Sequence, residues 1–319
     1  MRWFLRLPIQ ARIVLVSASV LAVGLALGLA LDANAHIPKP WNRVSSILGW
    51  TYFLCWAIGF YPQLYLNYTR QSVVGLSLDF MMLHILGFIC YTIFNCAFYF
   101  STSVQEQYMR RNEGNRNAVE ANDVLFSVHA TFAVTLSIIQ CLIYTRGEQT
   151  VSRATIGWTA AFVVVGVFFE TIVVVTGNNE ASVFNTLNFL YYLSYVKLVT
   201  TLVKNIPQIV LNYQLKSTAG WTIWGVFTDI AGGVLSVAQQ LLDSIATHDW
   251  TAITGDPVKF SLGLICIHVD VVFLLQHYMW YAKTSPTKYV ALQETQPLLP
   301  IAATSMNGST SNGRHAGAG

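Results

Sequence analysis

Asp229, Lys197 and Lys204 are ionisable residues set inside long apolar runs, and any chemistry in this 319-residue chain turns on them. An ionised carboxylate is costly away from water, so Asp229 can take up a proton where one side of a membrane is acidic and release it where the other is neutral. The alternative is a fixed salt bridge from Asp229 to Lys197 or Lys204. The two lysines stand seven residues apart, two turns along one helical face, so both can point at the same interior. A lysine there can meet a carboxylate of a zwitterionic substrate, while Asp229 meets an ammonium or carries the proton. Lys204 can instead snorkel to the interface. Asp123, beside Asn122, opens another apolar run, where a helix N-cap would account for it. Asp79 has a similar capping position, and Asp270 is either a relay or the partner of a polar neighbour. His84 lies one turn from Phe88 and, with an ordinary pKa of about 6.5, is either a proton sensor or a satisfied polar group. Phe88 and Trp56 are pocket walls or plain packing. No nucleophile with a base, metal cluster or phosphate loop stands out, so an enzyme, a metal and a cofactor are not expected.

The elements that must position these residues are membrane helices. Hydrophobic residues make up 54% of the chain and charged residues 10%, more apolar than a soluble domain of this length tolerates. A net charge of +3, with its basic residues scattered, offers no face for nucleic acid. Cys55, Cys90, Cys96, Cys141 and Cys266 all fall in apolar stretches and read as packing residues. A spanning helix needs about 20 mostly apolar residues. Seven such runs are predicted near 46–66, 76–100, 123–144, 154–176, 183–205, 221–242 and 258–281. Ahead of them, 13–31 carries no charge and follows Arg2, Arg6 and Arg12. It reads either as a signal peptide, with a small-residue exit at Ala33-Asn34-Ala35, or as a signal anchor. Loops 67–75, 145–153 and 212–220 and the tail hold Arg70, Arg146, Arg153, Lys216, Lys283 and Lys288, which places them in the cytosol and the amino end of the bundle in a lumen. The opposite loops are richer in acid, although Arg110, Arg111 and Arg116 weaken the contrast.

The chain also repeats itself. PQLYLNYTRQSVVG from Pro62 and PQIVLNYQLKSTAG from Pro207 are 145 residues apart and agree at seven of fourteen positions. Four spans separate the copies, so both Pro-Gln pairs fall on one side of the membrane and the repeats are parallel. The expected organisation is 1–35 signal peptide or anchor, 36–45 short lumenal segment, 46–144 first three-helix bundle, 145–182 linker helix and loops, 183–281 second bundle, and 282–319 polar tail. Pseudo-symmetric bundles hold substrate at their interface and rock to alternate access. Pro62 and Pro207 are expected to kink their helices, with Gln63, Gln208 and Asn212 as a gate beside them.

At these residues the chain resembles the PQ-loop family, whose architecture the SWEET-type sugar carriers share. GWTYFLCWAIGFYPQ at Gly49, SVVGLSLDF at Ser72, NDVLFSVHA at Asn122, VKLVTTLVKNIPQ at Val196, KSTAGWTIWGVFTDIAGG at Lys216 and DVVFLLQH at Asp270 are similar in order and spacing to its cystine-exporting members. The resemblance covers about residues 46–283. It implies an all-α bundle of two parallel three-helix repeats and a linker helix, exporting L-cystine with protons from a lysosome or vacuole. By resemblance Asp229 couples protons and touches substrate, Asp123 lies on the proton route, Lys197, His84, Phe88, Trp56 and Asn212 serve the substrate pocket, and Lys204 stands nearer the cytosolic gate. Two features depart from the family. Where the family has a long glycosylated lumenal domain before the first span, only residues 32–45 could fill that place here, and the N-x-S/T sequons found, at Asn67 and Asn307, would face the cytosol. His84 and Gly225 stand where the family's pocket has asparagines, which leaves the substrate open to another amino acid. A seven-helix receptor that binds without transporting is a further alternative.

In the tail, Tyr289 with Leu292 resembles a tyrosine sorting signal and Glu294 with Leu298 and Leu299 an acidic dileucine signal. They imply clathrin adaptors as partners, and the family's place in the cell implies nutrient-signalling complexes, beside the bilayer itself.

Overall fold

The computed structural model describes residues 9–250, 253 and 258–282. The sorting residues Tyr289, Leu292, Glu294, Leu298 and Leu299, together with Arg2, Arg6, Lys283, Lys288 and Asn307, lie outside the described residues. The described residues form helices α1 (Ile9–Ala30), α2 (Trp41–Gly59), α3 (Tyr61–Arg70), α4 (Leu78–Phe100), α5 (Thr102–Arg111), α6 (Ala121–Ile143), α7 (Arg153–Thr176), α8 (Thr186–Leu215), α9 (Ile223–Thr247) and α10 (Val258–Leu275), the last continued by a π-turn over Gln276–Trp280. Among the described residues, six helices are long and apolar enough to cross a membrane, counting α2 with α3 as one. Helix α8 carries Lys197 and Lys204, which lower its apolarity, yet its 30 residues span about 45 Å against a hydrocarbon core of about 30 Å. The chain is an all-α polytopic membrane protein.

Local chemistry sets the helix ends. Ser77, Ser101, Ser152 and Asn185 each cap a helix start by accepting a backbone N–H three residues on. Gln71 and Lys216, 145 residues apart, close α3 and α8 in the same left-handed conformation, φ 48° and ψ 34° in both. The repeat seen in the sequence is thus a repeat of backbone geometry.

The repeats meet through swapped partners. Helix α2, first of the first repeat, packs along α9, second of the second; α4 packs along α8 in the reciprocal way. Helix α7 links the halves and leaves most of its surface bare, the face left for lipid. The loops after α3, α6 and α8 gather on one face: Val73 N–H donates to Thr145 O at 2.9 Å, and Ser152 N–H to Asp79 Oδ1 at 2.8 Å. The Ser101–Glu120 and Asn178–Asn185 segments lie on the other.

Helix α1 docks on α2. Its buried positions Val20, Gly24 and Gly28 recur every fourth residue, and a Cβ on Gly28 would fall 2.6 Å from Ile47 Cα, so only glycine permits this approach. Arg43 Nη1 donates to the carbonyls of Gly28, Leu29 and Leu31, capping the end of α1.

Four expectations are corrected. The first span breaks at Phe60, but α8 runs unbroken through Pro207. Gly59 lies three residues before Pro62 where Lys204 lies before Pro207, and the glycine's weaker helix propensity, about 1 kcal/mol, adds to the proline's effect in one repeat only. The fifth span, expected over 183–205, is Thr186–Leu215. Residues read as loop contain α5, whose Val104, Gln107 and Tyr108 bury one face. Asp123 is not an N-cap: α6 is capped at Glu120, and Asp123, three residues on, accepts the Glu120 N–H on Oδ2 at 3.0 Å.

Candidate functional site

Between the two repeats lies a cavity of about 160 Å³ whose wall includes Trp56, His84, Phe88, Lys197, Lys204 and Asp229. The charges are placed by helix register. Lys197 and Lys204 project from one face of α8, Asp229 from the α9 turn above Gly232, and Asp270 from α10 beside it. Lys197 is 6% exposed, with Nζ 3.9 Å from the Phe88 ring centroid and 5.5 Å from that of Tyr91. Lys204 Nζ sits 5.2 Å from the Phe80 ring, so it faces the cavity rather than the membrane surface. Both ammonium groups are therefore held by aromatic faces, which attract a cation without neutralising it. Among the described residues neither lysine has a carboxylate within ion-pair distance, so the fixed salt bridge to Asp229 is absent there.

The Asp229 carboxyl has Cys266 and the Asp270 carboxyl as hydrogen-bonding neighbours. Two carboxyls in such contact repel each other when both are ionised. Trp56 Nε1 donates to the Asp229 carbonyl at 3.2 Å, laying its ring over α9. A Cβ on Gly232 would stand 2.5 Å from that nitrogen, which is why the bare glycine is needed. His84 is enclosed by Phe80, Phe88 and Phe60, with ring centroids 4.8, 4.9 and 6.0 Å away.

Asp123 lies off the cavity but touches its wall through one side chain. Tyr52, fully buried, donates to Asp123 Oδ1 at 2.5 Å and packs edge-on against Trp56 at 5.1 Å. Nearby, Gln239 Nε2 donates to Ser45 O at 3.1 Å and Glu120 Oε2 at 3.2 Å, tying α9 to α2 and α6 on that side of the cavity.

The other end is closed by the Pro-Gln glutamines. Gln63 donates to Gly220 O at 3.2 Å and accepts from Thr222 N–H at 3.1 Å. Gln208 donates to Gly75 O at 3.0 Å and accepts from Ser77 N–H at 2.9 Å. Each glutamine also bonds the asparagine four residues on: Gln63 to Asn67 and Gln208 to Asn212, at 2.9 and 3.0 Å. Those asparagines reach the third helix of their own repeat, Asn67 to Gln140 and Asn212 to Gln276, both at 2.9 Å. Asn212 is therefore off the cavity wall, committed to this lattice, rather than in the pocket as expected. Gln63 touches the cavity; Gln208 is fully buried.

Sequence reasoning singled out the charged members of this wall and missed Phe60, Asn205, Trp221 and the pocket position of Cys266. Asn205, one residue after Lys204, was the readable one: a carboxamide in an apolar run.

A helical membrane protein of two parallel repeats enclosing a charged, aromatic-lined cavity has the architecture of a small-solute carrier. A family model described as the PQ loop repeat matches residues 44–104 and 189–246, the cores of the two halves. The chain is 46% identical over 237 residues to Cystinosin of Drosophila melanogaster, covering 74% of this chain and 58% of that protein. It is 39% identical over 251 residues to the Cystinosin homolog of Dictyostelium discoideum, 79% of this chain and 86% of the relative. It is similar, at 24% identity over 258 residues, to the Cystine transporter of Saccharomyces cerevisiae, 75% of this chain and 95% of the relative. The chain thus spans less than two thirds of the fly relative's length. It belongs to the cystinosin family of PQ-loop repeat proteins.

Proposed function

We propose that this protein exports L-cystine together with protons from an acidic lysosomal or vacuolar lumen to the cytosol, by alternating access between its repeats. The observation that carries the reading is one cavity between the repeats whose wall holds Asp229 together with Lys197 and Lys204. Cystine is zwitterionic at both ends, so a carrier must meet carboxylates and ammoniums at once; Lys197 meets a carboxylate, and the Asp229 carboxyl meets an ammonium or carries the proton. The names of the fly and yeast relatives support cystine as the solute, and the cytosolic Pro-Gln face follows from the loop charges.

In this reading protonation from the lumen neutralises Asp229 and lets the loaded cavity reorient. Opening toward the cytosol breaks the four glutamine-to-loop bonds, at a net cost of about 1 kcal/mol each, which is within what substrate binding can supply. Facing neutral cytosol, Asp229 loses its proton and the solute leaves. Asp123, joined to the cavity wall by Tyr52, is the route by which the lumenal proton arrives.

The test is flux in reconstituted vesicles. Acid inside with cystine inside should drive cystine out with an inward-negative to outward-positive charge movement set by the protons. Binding without flux would make the protein a receptor, and preference for another amino acid over cystine would reassign the solute.

A further inference from the structure

One surface groove away from the cavity has a charged end and an aromatic end. Helix α5 lies on the face opposite the Pro-Gln glutamines and finishes in Arg110 and Arg111. Arg110 is committed to carboxylates: its Nη2 and Nε reach Glu180 at 2.6 and 3.2 Å, and its Nη1 lies 3.6 Å from Glu106. Arg111 is exposed and meets neutral groups instead, Asn188 Oδ1 through Nη1 and the Tyr191 ring at 5.8 Å. Among the described residues no carboxylate pairs with it.

Below Arg111 the groove follows α8. Asn188, Tyr191, Tyr192 and Tyr195 recur at the spacing of one helical face and line it with Arg111 and Asn112. Asn188 to Tyr195 is about 10 Å along the axis, the drop from headgroup level into hydrocarbon. Tyr195 is 51% exposed, and the Tyr192 hydroxyl is tied back to Phe162 O of α7 at 2.5 Å, which bounds the groove on that side.

We propose that this groove binds one anionic phospholipid, its phosphate on the free N–H groups of Arg111 and an acyl chain along Tyr191 and Tyr195. A guanidinium already oriented by Asn188 suits a phosphate, and tyrosines that run down from it suit a chain attached to that phosphate. A soluble anion would fill the upper end and leave the aromatic strip empty. The site is separate from the transport cavity and stands whether or not the solute is cystine.

The experiment uses the full chain in neutral detergent, read by native mass spectrometry and by the unfolding midpoint. Phosphatidylglycerol should be retained at one per chain and raise the midpoint, while phosphatidylcholine and inorganic phosphate should not. Arg111→Gln should weaken phosphatidylglycerol binding about tenfold, the loss of a charge-assisted contact, and Arg116→Gln should bind as wild type. Tyr195→Ala, which keeps the arginine, should also weaken it. Equal binding of phosphatidylcholine, an equal shift with inorganic phosphate, unchanged affinity in Arg111→Gln or Tyr195→Ala, or a second copy of the chain in place of lipid would each overturn the assignment.

Discussion

Gln63 and Gln208 hold each other's repeats: each side chain takes one carbonyl and one N–H from the loop of the opposite half, and the two sets of acceptors and donors are themselves 145 residues apart. A latch made twice by the same rule must open on both sides together. Gln63→Ala should therefore loosen a loop of the second repeat, far in sequence. With Ala219→Cys as reporter, labelling by a membrane-impermeant maleimide should speed up about thirtyfold in Gln63→Ala, since two bonds of about 1 kcal/mol are lost. Unchanged labelling would mean the bonds do not hold that face shut.

Lys197 is the one buried ammonium between Phe88 and Tyr91 among the described residues. Lys197→Met keeps the length and removes the charge. The protein should stay folded, because burying the charge was itself unfavourable, while half-saturation for cystine should rise tenfold or more. A flux assay over substrate concentration reads both.

Tyr52→Phe removes the hydroxyl that donates to Asp123 and leaves the ring against Trp56. A buried carboxylate that loses a partner costs about 1–3 kcal/mol, so the unfolding midpoint should drop by several degrees. On the proton route proposed here, transport at lumenal pH should fall further than stability does. A midpoint change with normal transport would restrict Tyr52 to packing.

How much of this was legible beforehand depended on what kind of group carried the information. Charges in apolar runs announced themselves, so Asp229, Lys197 and Lys204 and the seven spans could be read from residue type and spacing. The repeat gave the pseudo-symmetry, but not its bonds: the groups Gln63 and Gln208 hold are backbone atoms, which every residue carries. Phe60, Trp221 and Cys266 were invisible because aromatic and thiol side chains are ordinary in membrane helices, and only the fold puts these three on the cavity. Pro207 misled because a proline's effect on a helix depends on its neighbours, and Lys204 supports the helix where Gly59 weakens it.

Docking of α1 rests on bare glycine backbone against Ile47. Gly28→Leu should force α1 off α2, costing about 1–3 kcal/mol by overpacking and breaking the bonds by which Arg43 caps the helix end. Gly157→Leu, on the open face of α7 where a Cβ meets nothing within 4 Å, should leave the midpoint within about a degree. Equal effects of the two would deny that α1 is seated there.

The most direct measurement is proton movement during cystine efflux in Asp229→Asn, in vesicles where surface delivery and folding match wild type. Asparagine fills the same space beside Cys266 and Asp270 but cannot gain or lose a proton. The predicted result is no cystine-driven proton current at any lumenal pH. A current of wild-type size, with the same pH dependence, would contradict the assignment of Asp229 as the group that carries the proton.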